Sequence, residues 1–232
     1  MILMLPNFKE SKADESPASS VLKKINYIVG DCDSLEKMEK VPAIEPFEEE
    51  IIIFLNSLSK VLLQNRQVRY YPDVITFAFW CRKSSIEKMK QTYQYRYYNE
   101  NGYRLGRGIV FHIAPSNVAV NFAYSMVAGL LAGNTNFVRL PSKEFAQVDV
   151  ICSALNEVIE KHTKFKRYLV LGRYGHDKNI TDELSMLCDT RVIWGGNQTI
   201  HNIRQSLLKP RATEICFSDR YSISIINADT YL

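Results

Sequence analysis

Several familiar signatures are missing from these 232 residues, and each absence removes a class of function. There is no G-x-x-x-x-G-K-[ST] and no G-x-G-x-x-G, so neither a P-loop nor the ordinary dinucleotide fingerprint applies. No G-x-S-x-G elbow offers a hydrolase serine. His112, His162, His176 and His201 lack ligand spacing, which argues against a metal site. The cysteines (Cys32, Cys81, Cys152, Cys188, Cys216) are odd in number and scattered, which suits a reducing, cytoplasmic compartment better than a disulfide framework. No apolar run reaches the roughly 20 residues of a membrane-spanning helix. The opening MILMLPNFKE has neither the basic flank nor the length of a signal peptide. Charge of one sign is also scarce: a net +4 is too small to argue for nucleic acid, although a local basic patch for one phosphorylated small molecule would suffice.

What is present is an ordinary globular composition, 46% hydrophobic and 23% charged, in a chain long enough to bury a sizeable core. Its most organised stretch is GRGIVFHIAPSNVAVNFAYSMVAGLLAGNTNFVRLPS, Gly106 to Ser142. Ile109 to Ile113 has the β-branched and aromatic residues of a buried strand. Ala114-Pro115-Ser116-Asn117 breaks it, and Ser116 or Asn117 can cap a helix from Val118 to Leu131. Gly133-Asn134 stops that helix, and a second strand follows from Asn136 to Leu140. Strand, buried helix and strand at this spacing predict one βαβ crossover.

Upstream, Ser11 to Ser20 reads as a surface loop and Val21 to Val29 as a strand or short helix. Glu48, Glu49 and Glu50 suit a helix N-terminus, and Ile51, Phe54, Leu55, Leu58, Val61 and Leu62 repeat at helical spacing. Pro72-Asp73 opens another helix, and its residues Val74, Ile75, Phe77, Ala78, Phe79 and Trp80 read as too apolar to be exposed. From Gln91 to Arg104, Tyr93, Tyr95 and Tyr97 alternate with Gln94 and Arg96, and Asn101-Gly102 is a turn signal. Interleaved aromatics and arginine could form a nucleic-acid platform; with so small a net charge, an amphipathic strand, at the edge of a homo-oligomer for example, is the preferred reading. Downstream, Phe145, Val148, Cys152, Leu155, Val158 and Ile159 mark a helix. Tyr168 to Leu171 is a strand, His176 to Cys188 holds a short helix, and Arg191 to Trp194 is a strand. A helix with Ile200, Ile203 and Leu207 follows, then strands near Thr213 to Phe217 and Ser222 to Ile226. Strands alternating with helices predict an α/β fold, a Rossmann-like, mainly parallel sheet with flanking helices. The expected division is an N-terminal helical and strand segment, residues 1–104, followed by a nucleotide-binding domain, 105–232.

In such sheets ligands bind at the carboxyl ends of the strands, where three loops carry candidate residues. Ser116 and Asn117 follow the first strand, and Arg139, Ser142 and Lys143 the second. Arg139 offers a planar fork and Lys143 a flexible cation, together suited to the 2′-phosphate of NADPH. A solvated pair of surface cations is the plain alternative. Trp194-Gly195-Gly196-Asn197 lies between a strand and a helix, where glycine lets the backbone approach a phosphate at a helix N-terminus. By itself that is a weak signal, since many such turns are only turns. His112, within a strand, reads as packed and hydrogen-bonded. Cys81 and Cys152 fall on helical core faces.

The organising segment, together with PDVITFAFWCRK upstream and VIWGGNQTIHNIR and RYSISII downstream, resembles the LuxC-type acyl-CoA reductases of the aldehyde dehydrogenase-like superfamily. The resemblance runs from about residue 45 to the C-terminus. It implies NADPH-dependent reduction of a fatty acyl thioester, acyl-CoA or acyl-protein, to an aldehyde through a cysteine thioester. An acyl-protein synthetase, or a chain supplying the catalytic domain, is an implied partner. It also implies that Asn117 donates to the oxyanion, that Ala114, Pro115 and Ser116 lie against the cofactor, that Arg139 takes the place of a lysine on the adenosine ribose, and that Gly195 and Gly196 sit under the pyrophosphate. Two departures stand out. Cys216 occupies the position of the hydrolytic glutamate, with Glu214 two residues away, and none of the five cysteines matches the family's nucleophile. The expectation is therefore a cofactor-binding portion that is inactive alone; a non-catalytic nucleotide-binding subunit or an inactive remnant is the alternative.

Overall fold

The computed structural model describes residues 17–97, 102–220 and 223–227. The N-terminal part contains α1 (Pro17–Leu22), β1 (Asn26–Val29), α2 (Cys32–Glu36), α3 (Glu49–Gln64), α4 (Pro72–Trp80) and α5 (Lys83–Tyr97). Alternation then becomes regular: β2 (Ile109–Ile113), α6 (Asn121–Leu131), β3 (Thr135–Arg139), α7 (Ala146–Lys161), β4 (Leu169–Arg173), α8 (Lys178–Leu187), β5 (Thr190–Trp194), α9 (Asn197–Arg204) and β6 (Thr213–Phe217).

The six strands form one sheet in the order β1-β4-β3-β2-β5-β6. Five are parallel, and β1 closes one edge antiparallel to β4. The order runs outward from β2 through β3 to β4, then restarts on the other side with β5 and β6, so the strand order reverses between β2 and β5. Side chains alternate across the sheet. Val138, Leu169 and Leu171 pack under α3, α6 and α7, while Ile109, Phe111, Ile113 and Ile193 pack on the opposite face with Ile180 and Leu184 of α8 and Ile200 and Ile203 of α9.

Local chemistry explains where the elements begin and end. Helix α3 has Glu49 and Glu50 in its first turn, favourable to the helix dipole, and buries Ile51, Phe54, Leu55, Leu58 and Leu62 completely. Pro72 sits at the first position of α4, where its missing N–H costs nothing. Gly133 ends α6 with φ +84, the left-handed conformation glycine supplies, and a Cβ there would strike the Ile44 carbonyl.

Several expectations need correction. Helix α6 starts at Asn121, not Val118, and its N-cap is Val120, whose side chain accepts nothing; Ser116 and Asn117 lie in an exposed bend and cap no helix. The tyrosine segment is helical through Tyr97. Strong helix formers precede it, and Tyr93 packs against Tyr97 one turn later, ring centroids 5.2 Å apart, leaving Tyr95 in solvent. Phe79 is exposed, with the Arg82 guanidinium 3.9 Å from its ring centroid. Leu207 lies beyond α9 and is exposed. Residues 223–227 are not strand, and Ile223, Ile225 and Ile226 face solvent. Within the expected Ser11–Ser20 loop, Pro17 to Ser20 belong to α1; residues 11–16, Asn101 of the expected turn and Ser222 lie outside the described residues.

Candidate functional site

The strand order places β3, β2 and β5 side by side, with Ile113 in register with both Arg139 and Ile193. The loops after these strands, 114–117, 140–143 and 195–197, therefore leave the same carboxyl edge on adjacent strands, at the reversal of strand order. That is where an open α/β sheet leaves a crevice. The predicted residues share this edge, but they are not equally free.

Arg139 is half-buried: its Nη2 donates to the Gly175 carbonyl at 2.8 Å, and its guanidinium carbon lies 4.5 Å from the Tyr174 ring centroid. Nη2 also reaches the Tyr174 carbonyl at 3.5 Å, while among the described residues Nε and Nη1 have no protein acceptor, so those N–H groups remain available. Lys143 and Ser142 are exposed, with the Lys143 ammonium 5.1 Å from the Phe145 ring centroid. Ser116 and Asn117 are exposed, and Ala114 and Pro115 are half-buried beside them.

At the β5–α9 turn Gly196 is the N-cap residue with no side-chain cap. The first amides of α9, on Asn197, Gln198 and Thr199, accordingly have no protein acceptor among the described residues. A Cβ on Gly195 would sit 3.0 Å from Thr199 Cγ2, and one on Gly196 would sit 2.6 Å from Asp219 Oδ2. The turn thus has the bare backbone and free amides that a phosphate requires. It also has a carboxylate close by.

A cavity of about 740 Å³ opens on one face of the sheet between α6 and the β5–β6 strands. Trp80, Tyr93, Tyr124, Trp194, Ile215 and Phe217 give it an apolar wall, and the small residues Ala128 and Gly129 of α6 and Ala132 just after it keep it open. None of the ten predicted site residues lines it. Trp194 connects the two regions, since it ends β5, forms part of the cavity wall and precedes Gly195. Its ring stacks on Phe217 at 3.8 Å and 9°. The strand alternation Thr190, Val192, Trp194 carried the signal for this wall, but nothing in the sequence says that the face it forms is left open.

His112 is fully buried between Ser125 Oγ and Asn136 Oδ1, each at 2.8 Å, as a packed histidine should be. Burial pushes its pKa down to about 4, against the Asn136 hydrogen bond. Burial pushes the Cys152 and Cys188 thiols up to about 12 and also raises Cys81, Cys32 and Cys216. Glu214 is committed to structure. Burial raises its carboxyl, but hydrogen bonds from Arg204 and Arg191 outweigh that and hold it below its usual range. Among the described residues no group of three or more His, Cys, Asp or Glu side chains could hold a metal, and no helix is long and apolar enough to cross a membrane.

This architecture is that of aldehyde dehydrogenase-like proteins. Proline utilization A from Corynebacterium freiburgense is similar with TM-score 0.58 and 16% identity, over 80% of this chain and 20% of that one. An NAD-dependent benzaldehyde dehydrogenase from Corynebacterium glutamicum gives 0.52 and 15%, over 86% and 44%. Glyceraldehyde-3-phosphate dehydrogenase GapN from Methanocaldococcus jannaschii, complexed with NADP, gives 0.50 and 15%, over 87% and 45%. The chain spans less than half the length of each. Within that fold class, the family model for acyl-CoA reductase (LuxC) matches residues 20–231, and the chain belongs to this family. No curated protein matches it.

Proposed function

We propose that this chain is the nucleotide-binding part of an NADPH-dependent acyl-CoA reductase that converts a fatty acyl thioester to an aldehyde. The observation that carries the reading is the convergence of three loops at one carboxyl edge where the strand order reverses. Gly195, Gly196 and the free amides of Asn197 and its neighbours hold the pyrophosphate. The free N–H groups of Arg139, with Ser142 and Lys143, take the adenosine ribose and its 2′-phosphate. Ala114, Pro115 and Ser116 lie along the cofactor, and the Asn117 amide donates to the thioester carbonyl as charge grows on its oxygen. When bound, the reduced nicotinamide supplies the hydride. The apolar cavity beside Trp194 receives the acyl chain, whose methylenes gain about 0.8 kcal/mol each on leaving water.

Burial raises all five thiols above the ordinary cysteine range, which supports the reading that the nucleophile is not among them. The thiol is accordingly assigned to polypeptide other than these residues. The same observation favours a second reading, a nucleotide-binding subunit that does no chemistry itself. Acyl-CoA or an acyl-protein is the donor, an acyl-protein synthetase or a thiol-bearing chain is the partner, and the setting is the cytoplasm.

Titrating the chain with NADPH and following nucleotide fluorescence tests both readings; saturable binding is expected, and folded protein with no signal change removes both. Adding acyl-CoA then separates them from their opposite. No NADPH oxidation is expected, and sustained turnover would show that one of the five cysteines is a nucleophile.

A further inference from the structure

A series of hydrogen bonds runs beneath α6 toward the carboxyl edge of the sheet, and its donors and acceptors admit one assignment. Asn136 Nδ2 donates to the Asn134 carbonyl at 2.9 Å, leaving Oδ1 as the acceptor that faces His112 Nε2 at 2.8 Å. The imidazole therefore carries its proton on Nε2, and the bare Nδ1 accepts from the Ser125 hydroxyl at 2.8 Å. The oxygen of that hydroxyl accepts Trp194 Nε1–H at 3.2 Å. Gly129 makes room for this seam, since a Cβ there would collide with Asn136 Oδ1.

Trp194 is thus fixed twice, at its polar end by Ser125 and across its ring face by Phe217. The two residues after it have no side chains. Gly195 and Gly196 anchor their turn by backbone alone: the Gly195 N–H donates to the Phe217 carbonyl at 3.2 Å, and the Gly196 carbonyl accepts from the Ile200 N–H at 3.1 Å. The backbone that meets a phosphate is therefore set by its flanks, α9 on one side and Trp194 on the other.

We infer that Trp194 is a positioning residue for the nucleotide, its indole locked through Ser125 and His112 so that the bare Gly195–Gly196 turn holds its phosphate-binding shape. The inference rests on the nucleotide-binding reading of that turn. It makes a group on the cavity wall responsible for affinity at the neighbouring edge, which packing of the sheet face by itself would not do.

The chain has two tryptophans, Trp80 and Trp194, so a Trp80→Phe protein reports Trp194 emission alone. In that background Ser125→Ala is expected to weaken NADPH binding about tenfold, the effect of one lost hydrogen bond, and to shift Trp194 emission in the nucleotide-free protein. Ser125→Thr restores the hydroxyl and is expected to recover affinity to within about twofold. If Ser125→Ala does not fold, Trp194→Phe in the otherwise native chain decides. It keeps a ring against Phe217, leaves Ser125 bonded to His112, and is expected to lose about tenfold by nucleotide fluorescence. Parental affinity in either folded variant would overturn the positioning role while leaving the nucleotide site standing. Absence of NADPH binding in the Trp80→Phe and native proteins would instead remove the nucleotide reading, and this inference with it.

Discussion

The face of the sheet that carries α6 is divided between two regimes. Over β2, β3 and β4 it is sealed: Val138, Leu169 and Leu171 have no exposure, and α3, α6 and α7 lie on them. Over β6 the same face stays open, with Ile215 48% and Phe217 44% exposed, while Thr190 and Val192 of β5 form the floor of the cavity beside them. Ile215 and Phe217 are as apolar as the residues of the sealed half, so composition does not make the difference. Topology does. Crossovers from β2 to β3 and from β3 to β4 put their helices on one face, while those from β4 to β5 and from β5 to β6, running the other way, put α8 and α9 on the opposite face. The reversal that creates the crevice at the carboxyl edge is therefore the same event that leaves β5 and β6 without a crossover helix on this side.

The sharpest way to break this comparison is to truncate one phenylalanine in each regime. Phe54 is fully buried and stacks on Phe165 with ring centroids 4.3 Å apart; Phe54→Ala is expected to lower unfolding free energy by about 3–5 kcal/mol. Phe217→Ala gives up an exposed stack on Trp194 and is expected to cost about 1 kcal/mol. Urea denaturation of both variants measures the gap. Similar losses would mean that the open half is sealed in solution.

The next effect sits on the border of the two regimes. His112 is neutral when folded, with a pKa of about 4, and ordinary when unfolded. A depressed imidazole pKa means that the unfolded chain binds the proton first, so stability present above pH 6.5 is lost as pH falls toward 4, in total about 3 kcal/mol. His112→Gln should be less stable at neutral pH but should lack this slope. Parallel pH profiles of unfolding midpoint for the two proteins would show that burial is not what sets the imidazole.

Much of the sealed half was legible in the sequence, because burial there is periodic. The i, i+3, i+4 pattern of α3 and the unbroken apolar runs of β2 and β4 are local signals. The tyrosine segment misled, since Tyr93, Tyr95 and Tyr97 fit a strand alternation while only the Tyr93–Tyr97 contact, invisible in a two-residue period, identifies α5. The positions of the loops at the carboxyl edge were also legible, because proline, glycine and asparagine break the strand and helix patterns there. The cavity was not. It arises where crossover helices fail to land, and no residue reports a neighbour it lacks. The Ser125–His112–Asn136 seam left a partial trace as polar residues inside apolar segments, but pairing them required the register of β2 and β3.

At the carboxyl edge the comparison turns on which groups are already occupied. Arg139 spends Nη2 on the Gly175 and Tyr174 carbonyls and keeps Nε and Nη1 for a ligand. Arg139→Ala should therefore weaken NADPH by about tenfold to a hundredfold, the range for hydrogen bonds to a charged group. NADH, which lacks the 2′-phosphate, should change by about twofold or less. Competition titrations with both nucleotides measure the ratio; equal losses would assign Arg139 to holding the loop after β4 rather than to a ligand.

The smallest effect concerns the carboxylate beside the glycine turn. Asp219 lies so close to Gly196 that a methyl group there would touch its Oδ2. A phosphate bound on the α9 amides would meet that negative charge at short range, with solvent on one side. At about 4 Å in water the repulsion amounts to roughly 1 kcal/mol. Asp219→Asn removes the charge and keeps the shape, so NADPH should bind about threefold to fivefold tighter at low salt, with the gain fading as salt screens it. A loss of affinity would reverse the argument, because Asp219 would then be holding Gly196 in its binding conformation, and the turn would depend on its carboxylate as well as on Trp194.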